Sequence, residues 1–335
     1  MTLRAAINGF GRIGRLTLRA LAESGRQDIE IVAINTPSDM DMNAHLFKYD
    51  SAHGRFSGQV EVSGADLIVN GRTIKGSMFL DPAQAPWQAL GVDVVLECSG
   101  VFRKRAQAMK HLEAGAKKVL ISAPAEDEDL TVVFGVNEDK LKPSDVIVSN
   151  ASCTTNALAP VAMVLENTVG IESGFMTTIH SYTGDQCVVD TAHKDLHRAR
   201  TAAVNMIPTT TGAAKAVGKV LPALEGKLGG TSIRVPTQNV SLVDLCFTAK
   251  RDTSAEEIAH AMTAASQGRL KGILGVYDEP LVSVDFNHDS RSSIFSLKET
   301  RVINNRFVRV MSWYDNEWGF SCRMLDTAVA MMNAR

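Results

Sequence analysis

The chain has no uninterrupted apolar run approaching the roughly 18 residues that a membrane span requires, so no transmembrane segment is expected. Its N-terminus lacks an apolar targeting region and leads directly into a glycine motif, which makes a cytoplasmic location the default expectation. Strong charge of either sign is missing too: 35 Lys and Arg against 37 Asp and Glu leave a net charge of -2. A chain so balanced has no general field for nucleic acid or an anionic membrane, and any phosphate site must be local. Aromatic residues make up only 6%, and none is interleaved with the basic residues of the 190s, which argues against nucleic acid as a primary partner. Cysteine is sparse. Cys98, Cys153, Cys187, Cys246 and Cys322 are an odd number with no C-x-x-C spacing, so reduced thiols are expected, with no disulfide framework and no structural metal.

What is present is enough chain, 335 residues at 45% hydrophobic, for two domains with separate cores. The apolar strand Arg4 to Ile7 leads into Asn8-Gly9-Phe10-Gly11-Arg12-Ile13-Gly14, and Leu16 to Leu21 continues at helical spacing. This is G-x-G-x-x-G between strand and helix, with Gly9 for the tight turn, Gly11 for the approach of a pyrophosphate and Gly14 for helix packing. A second strand, Ile29 to Ile34, closes the βαβ unit of a dinucleotide-binding Rossmann domain. Its end should carry an acid about 20 residues beyond the glycines to bind the ribose of NAD. Here it reads Asn35-Thr36, with Asp39 as a distant substitute. Further strands at Val92 to Leu96, Lys118 to Ser122 and Leu130 to Phe134, with a helix from Arg105 to Ala114, put Ser99 and Ser122 at strand ends on the cofactor side.

After residue 152 the pattern changes. Strands at Phe175 to Ile179, Ser232 to Val235, Val240 to Lys250, Leu281 to Asp285, Ser293 to Lys298 and Phe307 to Trp313 accompany helices at Leu158 to Glu166, Ala213 to Leu224 and Ala255 to Ala265. They predict an α+β catalytic domain over 153–316 with a largely antiparallel sheet. A last helix, Cys322 to Met332, is expected to return over 317–335 to the dinucleotide-binding domain of residues 1–152.

The stretch Val148-Ser-Asn-Ala-Ser-Cys-Thr-Thr-Asn156 places Cys153 where a strand hands over to a helix. Unpaired N–H groups and the helix dipole there favour a thiolate, below the ordinary thiol value of about 8.5. Ser152, Thr154 and Thr155 add donors for an oxyanion or phosphate. Of the eight histidines, His180 stands at the end of an apolar strand in the same domain and is the expected partner. Thr209-Thr210-Thr211-Gly212 is a hydroxyl-rich helix start suited to an anion. The segment Asp190 to Arg200 is a solvated face or a ligand- or subunit-facing loop, and Cys187 beside it is read as an ordinary thiol.

These motifs, together with His180-Ser-Tyr-Thr, Arg234-Val-Pro-Thr and Trp313-Tyr-Asp-Asn-Glu-Trp-Gly319, resemble phosphorylating glyceraldehyde-3-phosphate dehydrogenase over essentially the whole chain. The resemblance implies that Cys153 adds to the aldehyde of glyceraldehyde 3-phosphate, that His180 raises its thiolate fraction and takes the hydroxyl proton as hydride leaves, and that inorganic phosphate discharges the thioester. It implies Thr183 and Arg234 for the substrate phosphate, Ser152, Thr211, Gly212 and Arg198 for the attacking phosphate, and Asn316 for the nicotinamide carboxamide. A homotetramer with the 190s loop at a subunit contact is implied too. There are three departures from the pattern. Thr36 replaces the acid of NAD-specific members, Thr191-Ala192 replaces a Leu-Pro pair, and Asp185 stands where some members have a hydroxyl. The first two raise the hypothesis that NADP is accepted as well as NAD. Erythrose-4-phosphate dehydrogenase is the nearest alternative, disfavoured by the Tyr182-Thr183 pair and the Thr211-Gly212-Ala motif.

Overall fold

A computed structural model describes residues 2–334. The chain divides into two compact units. The first runs to Ser152 and takes in the segment from Ser321 onward; the second is Cys153–Phe320.

The first unit contains β1 (Leu3–Asn8), α1 (Arg12–Ser24), β2 (Ile29–Asn35), α2 (Met40–Lys48), β3 (Tyr49–Asp50), β4 (Gly54–Arg55), β5 (Val60–Ser63), β6 (Asp66–Val69), β7 (Arg72–Ser77), β8 (Val94–Glu97), α3 (Arg105–Glu113), β9 (Lys118–Ile121), β10 (Leu130–Thr131) and β11 (Ile147–Ser149). Nine of the strands form one sheet in the order β10-β11-β9-β8-β1-β2-β7-β6-β5. From β10 to β7 every pairing is parallel, while β5, β6 and β7 make an antiparallel extension. Central strands covered on both faces need unbroken apolar runs, and Ala5, Ala6, Ile7, Val94, Val95 and Leu96 are all 0% exposed. Trp87 fills one side of this core against Ala6, Ala33, Val92 and Val95. Register aligns the strand ends: Asn8 of β1 lies opposite Asn35 of β2 and Glu97 of β8.

The second unit contains α4 (Cys153–Thr168), β12 (Ile171–Ser181), β13 (Ile207–Thr209), α5 (Ala213–Val220), β14 (Leu228–Val235), β15 (Ser241–Ala249), α6 (Ala255–Gln267), β16 (Leu274–Tyr277), β17 (Ser293–Ser296), β18 (Arg301–Ile303) and β19 (Phe307–Tyr314). Its sheet runs β13-β14-β12-β15-β19-β17-β16, with β18 beside β19. Two pairings, β12 with β14 and β16 with β17, are parallel and the others antiparallel. Helix α4 packs against α5, α6 and the sheet, and twelve successive residues from Thr154 to Leu165 are buried. A final helix, α7 (Trp318–Asn333), begins in this unit and continues into the first.

Several elements differ from their sequence reading. Helix α4 starts at Cys153 rather than Leu158, because Thr154, Thr155 and Asn156 are polar yet buried, held by tertiary contacts that a periodicity count cannot see. Helix α7 starts at Trp318, where the Asp315 carboxylate accepts the N–H groups of Glu317 and Trp318. Helix α5 ends at Val220, and Pro222 opens a separate 3₁₀ turn, Pro222–Leu224. The stretch read as a strand at Leu281 to Asp285 is no strand: Ser283–Phe286 is a 3₁₀ turn whose Asp285 carboxylate accepts the Val282 N–H at 2.8 Å. Its β-branched side chains point outward, Val284 being 71% exposed, so the alternation had no sheet face to serve. Among the described residues no helix is long and apolar enough to cross a membrane, and no group of three His, Cys, Asp or Glu could hold a metal ion.

Candidate active site

In the second unit a helix end and a strand end bring two reactive groups together. Cys153 is the first residue of α4, and His180 lies near the end of β12, on the same covered face as Met176 and Thr178. Cys153 Sγ is 3.5 Å from His180 Nε2. The imidazole is 3% exposed, and its Nδ1 is 2.7 Å from the Ser181 carbonyl. A carbonyl only accepts, so Nδ1 carries the proton and Nε2 presents its lone pair to the thiol. Tyr314 of β19 packs edge-on against the ring, and its hydroxyl bridges the Thr154 and Thr178 hydroxyls at 2.9 and 2.8 Å.

The electrostatics correct one sequence expectation. Cys153 was expected below the ordinary thiol value, yet burial pushes it up, against the downward pull of Arg234, the Thr154 hydroxyl and the N–H groups of the helix start. A helix dipole fades within a turn and does not outweigh the removal of water around the sulfur. His180 is held at about 3, chiefly by burial and then by the Arg234 charge, with Arg198 adding to it. At neutral pH the resting pair is therefore thiol and neutral imidazole.

Arg234, at the end of β14, places Nη1 3.1 Å from the Ser181 carbonyl and 3.4 Å from the Thr183 hydroxyl, and its Nε is buried without a hydrogen-bond partner among the described residues. A partly buried cation with an idle, buried donor suits an anionic ligand. Arg198 donates Nε to Thr209 at 2.9 Å and pairs through Nη1 with Asp185. Thr211 accepts the Ala213 N–H, and Gly212 caps the start of α5, where an added Cβ would meet nothing within 4 Å. Thr154 turns its hydroxyl to Tyr314, leaving its backbone for an anion, and Ser152 immediately precedes the helix. Asn316 accepts the Ser181 and Ser241 hydroxyls on Oδ1, at 2.9 and 2.8 Å, so its NH₂ end is left to donate. Sequence reading had passed over Tyr314, Thr178 and Ser241. Their signal was only the inward phase of long strands, which most core residues share.

In the first unit the glycine loop fits a dinucleotide. Gly9 has φ +90°, and a Cβ there would sit 2.5 Å from Ser99 Cα; one at Gly14 would sit 2.3 Å from the Gly9 carbonyl. Gly11 caps α1 without any side-chain cap, and a Cβ there would meet nothing within 4 Å, which leaves room for a pyrophosphate at the positive end of the helix. Phe10 is 2% exposed and stacks on Phe47, a packing role, while Arg12 pairs with Asp50 and Ile13 is partly exposed. Asn35 holds Asn8, Ser77 and Phe79 through its side chain and the Gly9 N–H through its carbonyl, so it braces the loop. Thr36 is 3% exposed with its hydroxyl on Ser38, and Asp39 uses its carboxylate to cap α2. Neither offers a free acid at the end of β2. Ser122 turns its hydroxyl to Cys98, and Ser99 turns its own to Glu97.

Two family models match the chain: the NAD binding domain of glyceraldehyde 3-phosphate dehydrogenase over residues 3–105, and the C-terminal domain of the same enzyme over 152–316. Among curated proteins, the glyceraldehyde-3-phosphate dehydrogenase of Xanthobacter flavus is 62% identical over 331 residues, 99% of each chain. That of Cereibacter sphaeroides is 60% identical over 99% of each chain, and that of Pseudomonas aeruginosa 57% identical over 100% of each.

Proposed function

The chain belongs to the glyceraldehyde-3-phosphate dehydrogenase family, and on that premise we propose that Cys153 and His180 carry out its reaction, the phosphorylating oxidation of D-glyceraldehyde 3-phosphate to 1,3-bisphosphoglycerate. The observation that supports these roles is the 3.5 Å approach of Sγ to a lone pair on Nε2. The cofactor is NAD, and when bound it supplies the acceptor for the hydride.

His180 Nε2 takes the thiol proton as Cys153 Sγ bonds to the aldehyde carbon, and returns it to the aldehyde oxygen. The same nitrogen takes the hydroxyl proton of this adduct when the C–H electron pair departs, leaving a thioester on Sγ. A phosphate oxygen then bonds to the thioester carbon, the C–S bond breaks, and sulfur leaves as thiolate and takes back the proton held on Nε2. Thr183 and Arg234 hold the substrate phosphate; Ser152, Thr211, Gly212 and Arg198 hold the attacking phosphate, with the Thr154 N–H at the helix start. The Asn316 NH₂ holds the nicotinamide carboxamide, and Gly9, Gly11 and Gly14 admit the pyrophosphate. Replacing Cys153 with Ser should abolish turnover while NAD affinity is retained; near-normal turnover would refute the assignment.

We also propose that NADP is accepted, since Thr36 leaves no carboxylate to repel a 2′-phosphate. Absence of turnover with NADP would remove this. The loop at 190–200 and its flank expose Val188, Val189 and Leu196 at 80, 67 and 84%, which supports a homotetramer with this loop at a subunit contact. Light scattering of the purified protein tests it.

A further inference from the structure

Beneath the glycine turn lies a buried acid that the reaction above does not use. Glu97, the last residue of β8, is 1% exposed, and His111 of α3 and Trp87 are both 0% exposed. The Trp87 indole N–H donates to His111 Nδ1 at 3.1 Å, and His111 Nε2 lies 2.9 Å from Glu97 Oε2. An indole can only donate, so Nδ1 is unprotonated, the proton is on Nε2, and His111 is a neutral donor to the carboxylate. Asn8 Nδ2 donates to the same oxygen at 2.6 Å. The other oxygen takes the Ser99 N–H at 2.8 Å and the Ser99 hydroxyl, which itself accepts the Val101 N–H. Four donors and no acceptor surround Glu97, so it carries no proton, and no Lys or Arg neutralises it among the described residues.

A buried anion without a cation is costly unless it does something that a neutral side chain cannot. Its place indicates what. Ser99 is the residue against which Gly9 packs, with no room for a Cβ, and Asn8, the third partner, is held in turn by Asn35. We propose that Glu97 is a positioning residue of the dinucleotide site: an ionised carboxylate, fed by a His111 that Trp87 keeps neutral, which clamps Ser99 under the glycine turn so that the turn's N–H groups stay aimed at the pyrophosphate. This rests on NAD being the cofactor, which titration of the unaltered protein checks by itself.

The experiment is calorimetric titration of the full-length chain with NAD, with ADP-ribose and with adenosine, which lacks a pyrophosphate, comparing Glu97→Gln with the unaltered protein. The amide puts a donor where donors already converge, and Kd for NAD and ADP-ribose should both rise at least tenfold. Adenosine affinity and the rate at which iodoacetamide alkylates Cys153 should stay within twofold. NAD affinity within twofold of the unaltered protein overturns the proposal, as does an equal loss for adenosine, which marks a general loosening. If Glu97→Gln does not fold, Glu97→Asp, which keeps the charge and withdraws it from Ser99, should show the same split and is judged by the same limits. Nitrogen-15 spectra of the unaltered protein should show His111 as the neutral Nε2–H tautomer, and a doubly protonated ring overturns the proposal.

Discussion

Arg234 Nη1 lies 3.1 Å from His180 Nδ1, and both donate to one acceptor, the carbonyl of Ser181. A permanent cation thus stands beside the imidazole that is proposed to pick up a proton during turnover. Burial, and after it the charges of Arg234 and Arg198, hold His180 down at about 3. An anion placed on these guanidiniums cancels that push, so His180 should titrate at higher pH once phosphate is bound. Histidine NMR with and without inorganic phosphate measures this; no upward movement would contradict it.

The same residue shapes acid stability. Its folded value lies below the unfolded value of about 6.5, so the unfolded chain takes up a proton that the folded chain refuses. The stabilisation is complete above about pH 6.5 and is lost as pH falls toward 3, at up to about 1.4 kcal/mol per pH unit. Denaturant midpoints from pH 7 to 4 should therefore slope less steeply in His180→Asn than in the unaltered chain.

Arg234 also pulls the Cys153 thiol down against its burial. Arg234→Leu removes that pull, and the alkylation rate of Cys153 should require higher pH to reach its plateau. KM for glyceraldehyde 3-phosphate should rise at least tenfold in parallel. An unmoved alkylation profile would show that the guanidinium does not reach the sulfur.

Asp185 is paired with Arg198 through Nη1 and lies 3.6 Å from His193. Because Thr209 holds the Arg198 Nε independently, Asp185→Asn should free the guanidinium for anions without letting it swing away. The Asp185 side chain is half exposed, so the gain is modest, and KM for inorganic phosphate should fall about two- to fivefold. A rise would assign Asp185 to holding Arg198 in place.

Tyr314→Phe deletes the hydroxyl shared by Thr154 and Thr178 and leaves both buried without it. Unsatisfied buried hydroxyls cost about 1–3 kcal/mol, so thermal unfolding should show Tm lowered by several degrees. Because Tyr314 packs on the His180 ring, kcat should fall as well, by less than in His180→Asn.

Legibility in the sequence followed how local each feature is. Gly9, Gly11 and Gly14 write a turn within six residues, and the positions of Cys153 and His180 at element ends are written in the few residues around each. That their side chains meet at 3.5 Å is a matter of how β12 lies beside α4, which no window of sequence contains. Polar groups satisfied across the fold were hidden for the same reason. Thr154 and Thr155 fall outside the helix read from periodicity because what buries them lies outside any local window, and Tyr314 is 160 residues from Thr154. Glu97 was visible as an acid ending an apolar strand, but its partners Trp87 and His111 come from either side of it in sequence. The 281–285 stretch failed in the opposite sense: a local pattern typical of a strand met no neighbouring strand to pair with.

The C-terminal helix gives the order of synthesis a bearing on stability. Residues beyond Ser321 complete the unit that begins the chain, with Met324, Leu325, Ala328 and Met331 buried, Thr327 donating to Asn150, Lys118 reaching the Met331 carbonyl and Asp326 paired with Arg26. A unit whose sheet is made before residue 153 is thus completed only by residues made after the whole second unit. Until those are translated, its nascent sheet lacks a piece of its own interior, and a nonsense mutation ahead of Ser321 is felt in strands translated long before it.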